Sequence, residues 1–354
     1  MKTSLVASEA RSGAVDGSSA TSPALLTKHV ARVSGYLRAS ALSPATFTGR
    51  MTSYHMGWSD RDGRPAATQP GKFFRPALCL WACEACAGDL SACLPVAAAL
   101  EWMHNFTLIH DDIQDGDRER RNRETVWSVW GSAHGINAGD ALHALAFRTL
   151  ADNGGHPARH LATIALVADA ALVVIEGQSL DLRLEGRPDT PLRTYLRMVR
   201  SKTGALIGAS LEAGAVMAGA PPSVAGTLRD AGLLLGTAFQ IRDDWLGTWG
   251  DSALTGKSSS GDLGRCKPTY PVVAGYRMMN EAQRTRLRLL FSEPAPNAAA
   301  VRLLLEEVGG PQLTSEAPRH FADKAIALVQ TVGLAGSFVD DFTEVAHYVA
   351  NRSR

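Results

Sequence analysis

From Pro23 to the C-terminus, apolar side chains recur at spacings of three and four residues, and no stretch sustains the alternation and β-branched enrichment of a strand. That periodicity confines the chain to an all-α fold. The long periodic segments run roughly over 94–115, 158–184, 192–218, 223–246 and 317–349, several of them beyond the about 11–12 residues of an average helix. Breakers fall between them: "GWSDRDGRPAATQPGK" before residue 73, "EGRPDTP", "GAPPS", and "GDSALTGKSSSGDLGRCKP" from 250 to 268. No composition shift and no fixed-period repeat divides the chain, so residues 25–354 read as a single domain, with the Gly- and Ser-rich stretch near 260 as a loop. Residues 1–24, rich in Ser, Ala and Gly, read as a disordered leader.

Charge narrows the function. Thirty-six Lys and Arg against 35 Asp and Glu leave +1 at pH 7, without the global basic field expected of a nucleic-acid or membrane-surface binder. Any charged ligand must be handled locally. No uninterrupted apolar run approaches the roughly 18 residues of a membrane span, and the N-terminus lacks a signal-type apolar core. The expectation is a soluble, cytoplasmic protein. Five cysteines are too few and too odd for a disulfide framework. Cys79, Cys83, Cys86 and Cys93 cluster in "CLWACEACAGDLSAC", where an Ala- and Leu-rich helical context favours small buried side chains over a zinc or redox site.

The chemistry concentrates in "LIHDDIQDGDRERR", from Leu108. Asp111 and Asp115 lie one helical turn apart and Asp112 about 100° round the same turn, so the three share a broad face. They sit where the helix macrodipole is already negative, behind His110 and the apolar run "FTLI". A solvated acidic face is the ordinary reading of a charge run, but acids at the end of a buried helix need metal or protons. Oxygen donors without thiol or imidazole partners suit Mg²⁺, which keeps waters and bridges to phosphates. A second pair, Asp243 and Asp244 in "FQIRDDWLGTWGD", again ends an amphipathic helix, with Asp251 following. Metal held between two such helix ends could grip a diphosphate and make it a leaving group. Lys72, Arg75, Arg120, Arg121, Lys202, Lys257 and Lys267 are the candidate cations beside it, each alone compatible with an ordinary surface.

The motifs "GKFFRP", "HNFTLIHDDIQDGDRERR", "EGQSLDL", "SKTG", "FQIRDDWLG" and "GKSSSGDLGRCKPTYP", in this order over about residues 25–350, resemble the trans-isoprenyl diphosphate synthase (polyprenyl synthetase) family. The resemblance implies an isoprenoid synthase-type helical bundle round a deep cavity, usually a homodimer, that condenses isopentenyl diphosphate with an allylic diphosphate (dimethylallyl, geranyl or farnesyl). It implies three Mg²⁺ ions held by Asp111, Asp112, Asp115, Asp243 and Asp244. Arg120, Lys202 and Lys257 would bind the allylic diphosphate, with Lys267 closing the site, and Lys72, Arg75, His104 and Arg121 isopentenyl diphosphate. Thr203 and Gln240 would present oxygen dipoles to the developing allylic cation. The isopentenyl double bond would attack that cation, and a proton would then pass to the released diphosphate.

The chain departs from the family's D-D-x-x-D at Gly247, where the second motif lacks its last acid; Asp251 lies a turn further on, and activity is expected to survive. Family members are similar in setting product length one turn above the first motif, here Phe106 and Thr107. One aromatic beside a small residue favours geranylgeranyl diphosphate (C20), then farnesyl diphosphate (C15); Phe106 as ordinary core is the plain alternative. A class I terpene cyclase is a rival reading, but "DDWLGTWGD" lacks the hydroxyl and Glu of that class's second metal triad. A non-catalytic subunit of a heteromeric synthase is another, with Gly247 its partial mark.

Overall fold

A computed structural model describes residues 22–66, 73–151, 156–250, 261–293 and 296–353. The first helices are α1 (Ala24–Lys28), α2 (Val30–Ser40), α3 (Phe47–His55) and α4 (Phe74–Ala85). Then come α5 (Leu90–Gln114), α6 (Val126–Trp130), α7 (Ser132–Ala151) and α8 (Pro157–Leu184), followed by α9 (Leu192–Val199), α10 (Ala205–Ala218) and α11 (Pro222–Trp249). Shorter helices complete the chain, ending in Ala317–Gln330 and Gly336–Asn351. Asp89 starts α5 by accepting from the Ser91 N–H at 2.8 Å, and Gly219, at φ 80°, ends α10 in the left-handed turn a Cβ would strain. The all-α expectation holds. Among the described residues the β structure amounts to an isolated bridge and the two-residue pair Glu119–Arg120 with Arg123–Glu124.

Two expected segments break. The 192–218 segment contains a π-helical turn, Arg200–Gly204, between α9 and α10. The 317–349 segment is two helices, because Gly333 turns left-handed at φ 79° between them.

α5 and α10 are buried on nearly every face, which their all-round apolar sequences require. One core cluster joins α5 to α4, α7, α8 and α10; a second joins α4, α10 and α11 to the last two helices. Small residues set the α10–α11 spacing: a Cβ added at Gly232 would lie 2.7 Å from the Gly208 Cα. Cys79 and Cys93 pack Sγ to Sγ at 3.6 Å between α4 and α5, as small buried side chains.

α8 is the one described helix long and apolar enough to cross a membrane by length and composition, although Asp169 interrupts it, and 33% of its most apolar stretch is buried. Leu161, Leu172, Val173 and Ile175 lie on its exposed surface.

Candidate functional site

The C-terminal ends of α5, α8 and α11 and the π turn line a cavity of about 1140 Å³. Asp111, Asp115, Asp243, Asp244, Arg75, His104, Arg120, Arg121, Lys202, Thr203, Gln240, Lys267, Phe106 and Thr107 all line it, so the structure brings most of the expected site residues together. Lys72, Asp251 and Lys257 lie outside the described residues. Asp112 is the exception: it does not line the cavity.

On the α5 side, two lysines sit among three acids. Lys202 Nζ donates to Asp181 Oδ2 at 2.7 Å and stands 3.2 Å from Asp111 Oδ1; Lys267 Nζ donates to Asp115 Oδ2 at 2.8 Å and to Asp181 Oδ2 at 3.1 Å. Gly177 makes this possible. A Cβ there would come within 2.3 Å of the Lys202 amide nitrogen, so α8 can touch the π turn and bring Asp181, one turn further along, beneath the lysine. Burial opposes every charge here. It drives the Lys202 pKa down, but Asp111 and Asp181 outweigh it and leave the ammonium firmer than usual. Burial likewise drives Asp181 up, yet Lys202 and Lys267 hold it below the ordinary carboxylate range. For Asp115, burial and the Asp111 charge win, and its pKa is raised.

Asp112, 2% exposed at its side chain, accepts from Arg120 Nε at 2.7 Å. Burial pushes it up to about 6 despite that arginine. Arg120 reaches it from a hairpin whose turn residues Arg121 and Asn122 are both left-handed, at φ 53° and 59°. Arg123 anchors the hairpin, donating to the Ser59 carbonyl at 2.9 Å and lying over the Tyr54 ring.

The α11 side is built differently. Asp244 is buried and saturated: Tyr195 donates to Oδ2 at 2.6 Å, the Tyr270 amide to Oδ2 at 2.8 Å and Gln240 Nε2 to Oδ1 at 2.9 Å. Burial and the Asp262 charge push its pKa up to about 7 against those donors. With its amide nitrogen committed to Asp244, Gln240 turns its oxygen to the Thr203 hydroxyl, which donates to it at 2.7 Å. Asp243 is more open and pairs with Arg352 from the C-terminal end, whose guanidinium also lies 4.0 Å over the Phe239 ring.

A third wall carries Arg75, His104 and Arg121. Burial lowers Arg75 to about 10, partly offset by Glu101. Burial, then Arg75 and Arg121, keep His104 well below its ordinary pKa and hence neutral. At the bottom, the Phe106 ring stands edge-on to His110 and His143, each at 4.9 Å, and His143 continues to Phe147 at 5.2 Å.

Residues the sequence reading left without a role complete the site. Asp181 lies inside the quoted "EGQSLDL" and was legible as a buried acid there. Arg265 bridges the loop to the first acids, donating to Asp117, to the Asp115 carbonyl at 3.2 Å and to Asp262 at 3.2 Å. His143 and Arg352 had no local signal.

The donor set fits Mg²⁺. Asp115 Oδ1 is a buried oxygen without a hydrogen-bond partner, and Asp111 Oδ1 is engaged by the Lys202 ammonium at 3.2 Å without a hydrogen bond. Among the described residues no three acid, thiol or imidazole groups converge to hold a metal by themselves.

Comparison with known proteins gives a consistent picture. The polyprenyl synthetase family model matches residues 63–308. The (2E,6E)-farnesyl diphosphate synthase of Mycobacterium tuberculosis is 38% identical over 309 residues, 85% of each chain. The geranylgeranyl diphosphate synthase of the same organism is 42% identical over 283 residues, 78% of this chain and 80% of that one. The crystal structure of a polyprenyl synthetase from Streptomyces coelicolor superposes with a TM-score of 0.84 at 36% identity, covering 92% of this chain and 98% of that one.

Proposed function

The chain belongs to the polyprenyl synthetase family and is a trans-prenyl diphosphate synthase acting on isopentenyl and allylic diphosphates; from that premise we propose that it makes geranylgeranyl diphosphate. The observation that carries this reading is the floor. Phe106 lines the cavity about one helical turn before Asp111 with its ring edge-on to His143, and the smaller Thr107 lines it next door. A farnesyl product is the second reading, favoured by the bulk of Phe106 and by the name of the mycobacterial relative.

Bound at Asp111, Asp115 and Asp243, Mg²⁺ would neutralise the allylic diphosphate and make it a leaving group; three ions are proposed. Lys202, Lys267 and Arg120 hold that diphosphate, each released in part from Asp111, Asp115, Asp181 and Asp112 as the substrate's negative charge arrives. Arg75, Arg121 and neutral His104 hold isopentenyl diphosphate, where the two guanidinium groups supply the charge and the imidazole a neutral donor. The Thr203 and Gln240 oxygens, fixed by the hydrogen-bond chain that ends at Asp244, face the carbon that becomes positive. Bringing the two substrates together across one cavity supplies the remaining catalysis by positioning.

We propose a homodimer for the active form. The outward residues Leu161, Leu172 and Val173 of α8 and Ile136 of α7 are the apolar surface to be covered. Light scattering tests it, with Leu172→Glu expected to yield monomer.

The deciding assay supplies purified protein with Mg²⁺, isopentenyl diphosphate and each allylic primer, and sizes the product by mass. A C20 diphosphate supports the reading and a C15 diphosphate the second one. A hydrocarbon would indicate cyclisation, and no turnover a partner subunit.

A further inference from the structure

Gly247 removes one carboxylate from the second acidic bank, yet the space beside it is not empty of charge. A Cβ built on Gly247 meets a single neighbour within 4 Å, the Asp262 Oδ2 at 3.5 Å. Asp262 enters from a different element, the Gly261–Gly264 turn, and lines the same cavity as Asp243, Asp244 and Gly247. Its position is held from both ends. Its carbonyl accepts the Arg265 amide at 3.2 Å and the Lys267 amide at 3.0 Å, and its Oδ1 accepts from Arg265 Nη2 at 3.2 Å. Those bonds leave Oδ2 as the oxygen turned toward α11. A Cβ at 247 would start in ordinary van der Waals contact with Asp262, so an acid side chain there would bring a second carboxylate beside the first, and two carboxylates that close repel.

We infer that Asp262 supplies the third carboxylate of the second acidic bank in this chain, in place of the acid that Gly247 lacks, with Arg265 as its positioning residue. The inference rests on the reading of Asp243 as a metal-side acid and deepens it. Substitution of the site is conformational as well as chemical. Because Asp262 rides on the turn that also carries Arg265 and Lys267, the third acid comes into register only when that turn is docked on Asp115 and Asp117. A bank with all its acids on one helix has no such dependence.

The test needs no turnover. Mg²⁺-dependent binding of inorganic pyrophosphate is followed by calorimetry for the unaltered protein, Asp262→Asn, Gly247→Asp, the double variant and Asp243→Asn, with thermal melting of each as a check on folding. Asp262→Asn should raise the Mg²⁺ concentration for half-maximal pyrophosphate binding about tenfold, and Gly247→Asp in that background should restore it to within about threefold. Such rescue from a different element cannot come from a structural role for Asp262. The inference is overturned if Asp262→Asn shifts the requirement by less than about twofold, if the double variant is no better than Asp262→Asn, or if Gly247→Asp alone lowers the requirement about tenfold. An unchanged Asp243→Asn would instead remove the parent reading of the second bank, whatever Asp262 does.

Discussion

The two acidic helix ends face one cavity but are stabilised in opposite ways. At the end of α5 the carboxylates are balanced by formal charge: Lys202 and Lys267 reach in from the π turn and the loop, Arg120 from the hairpin. At the end of α11, Asp244 is satisfied by a phenol, an amide N–H and a glutamine, and only Asp243 meets a cation, Arg352. The first bank is thus built to exchange partners, since a lysine can swing from an aspartate to a diphosphate at little conformational cost. Asp244 is not. Removing its donors would leave several buried groups unsatisfied, so it acts as the peg that orients Gln240 and, through it, Thr203.

The sharpest way to break this contrast is to delete one acid from each side. Asp115→Ala should lower kcat about 10⁴-fold, close to 5 kcal/mol, while Asp243→Asn should cost about 10²-fold; equal losses in steady-state assays would erase the distinction. Next in size is the pH response. Asp244, raised to about 7, must be ionised to accept from Tyr195, Tyr270 and Gln240 at once, and Asp112, raised to about 6, to hold Arg120, so kcat/KM should fall as pH drops through that range. Neither acid is placed on the metal, so the limb should keep its position as Mg²⁺ is raised; a limb that moves to lower pH with Mg²⁺ would make one of them a ligand. Asp244→Asn should then reveal the peg: a loss of about 1–3 kcal/mol in denaturant unfolding, because the amide NH2 must face either Gln240 or the Tyr195–Tyr270 pair and leaves a donor without its acceptor. No stability change would make Asp244 a ligand like Asp115. The smallest effect belongs to Arg352→Ala, which frees Asp243 and should lower the Mg²⁺ requirement about two- to threefold; a rise would show that Arg352 grips substrate instead.

The helical architecture was legible because a buried helix must repeat its apolar residues at a fixed interval, and α8 and α11 begin within a residue or so of where that pattern places them. What the pattern could not carry was interruption. The π turn at Arg200–Gly204 keeps the apolar spacing nearly intact, and the hairpin turn Arg121–Asn122 lacks the glycine that usually marks left-handed pairs. In the site, motif position picked out residues, from Asp111 to Lys267, that converge on one cavity. It missed partnerships between distant segments: Asp181 with two lysines, Arg265 with Asp115 and Asp117, and Arg352 with Asp243. Asp112 and Asp244 were grouped with the open acids because sequence shows a carboxylate but not which way it turns.

Because Gly177 lets α8 rest on the backbone of Lys202, the two motifs are joined by volume before they are joined by charge. A lysine can be traded for an arginine and an aspartate for a glutamate with graded loss. The steric contact admits no such grading, since any side chain at 177 would wedge the π turn off its seat. The tolerance of this active site to sequence drift is therefore set at a residue with no chemistry of its own.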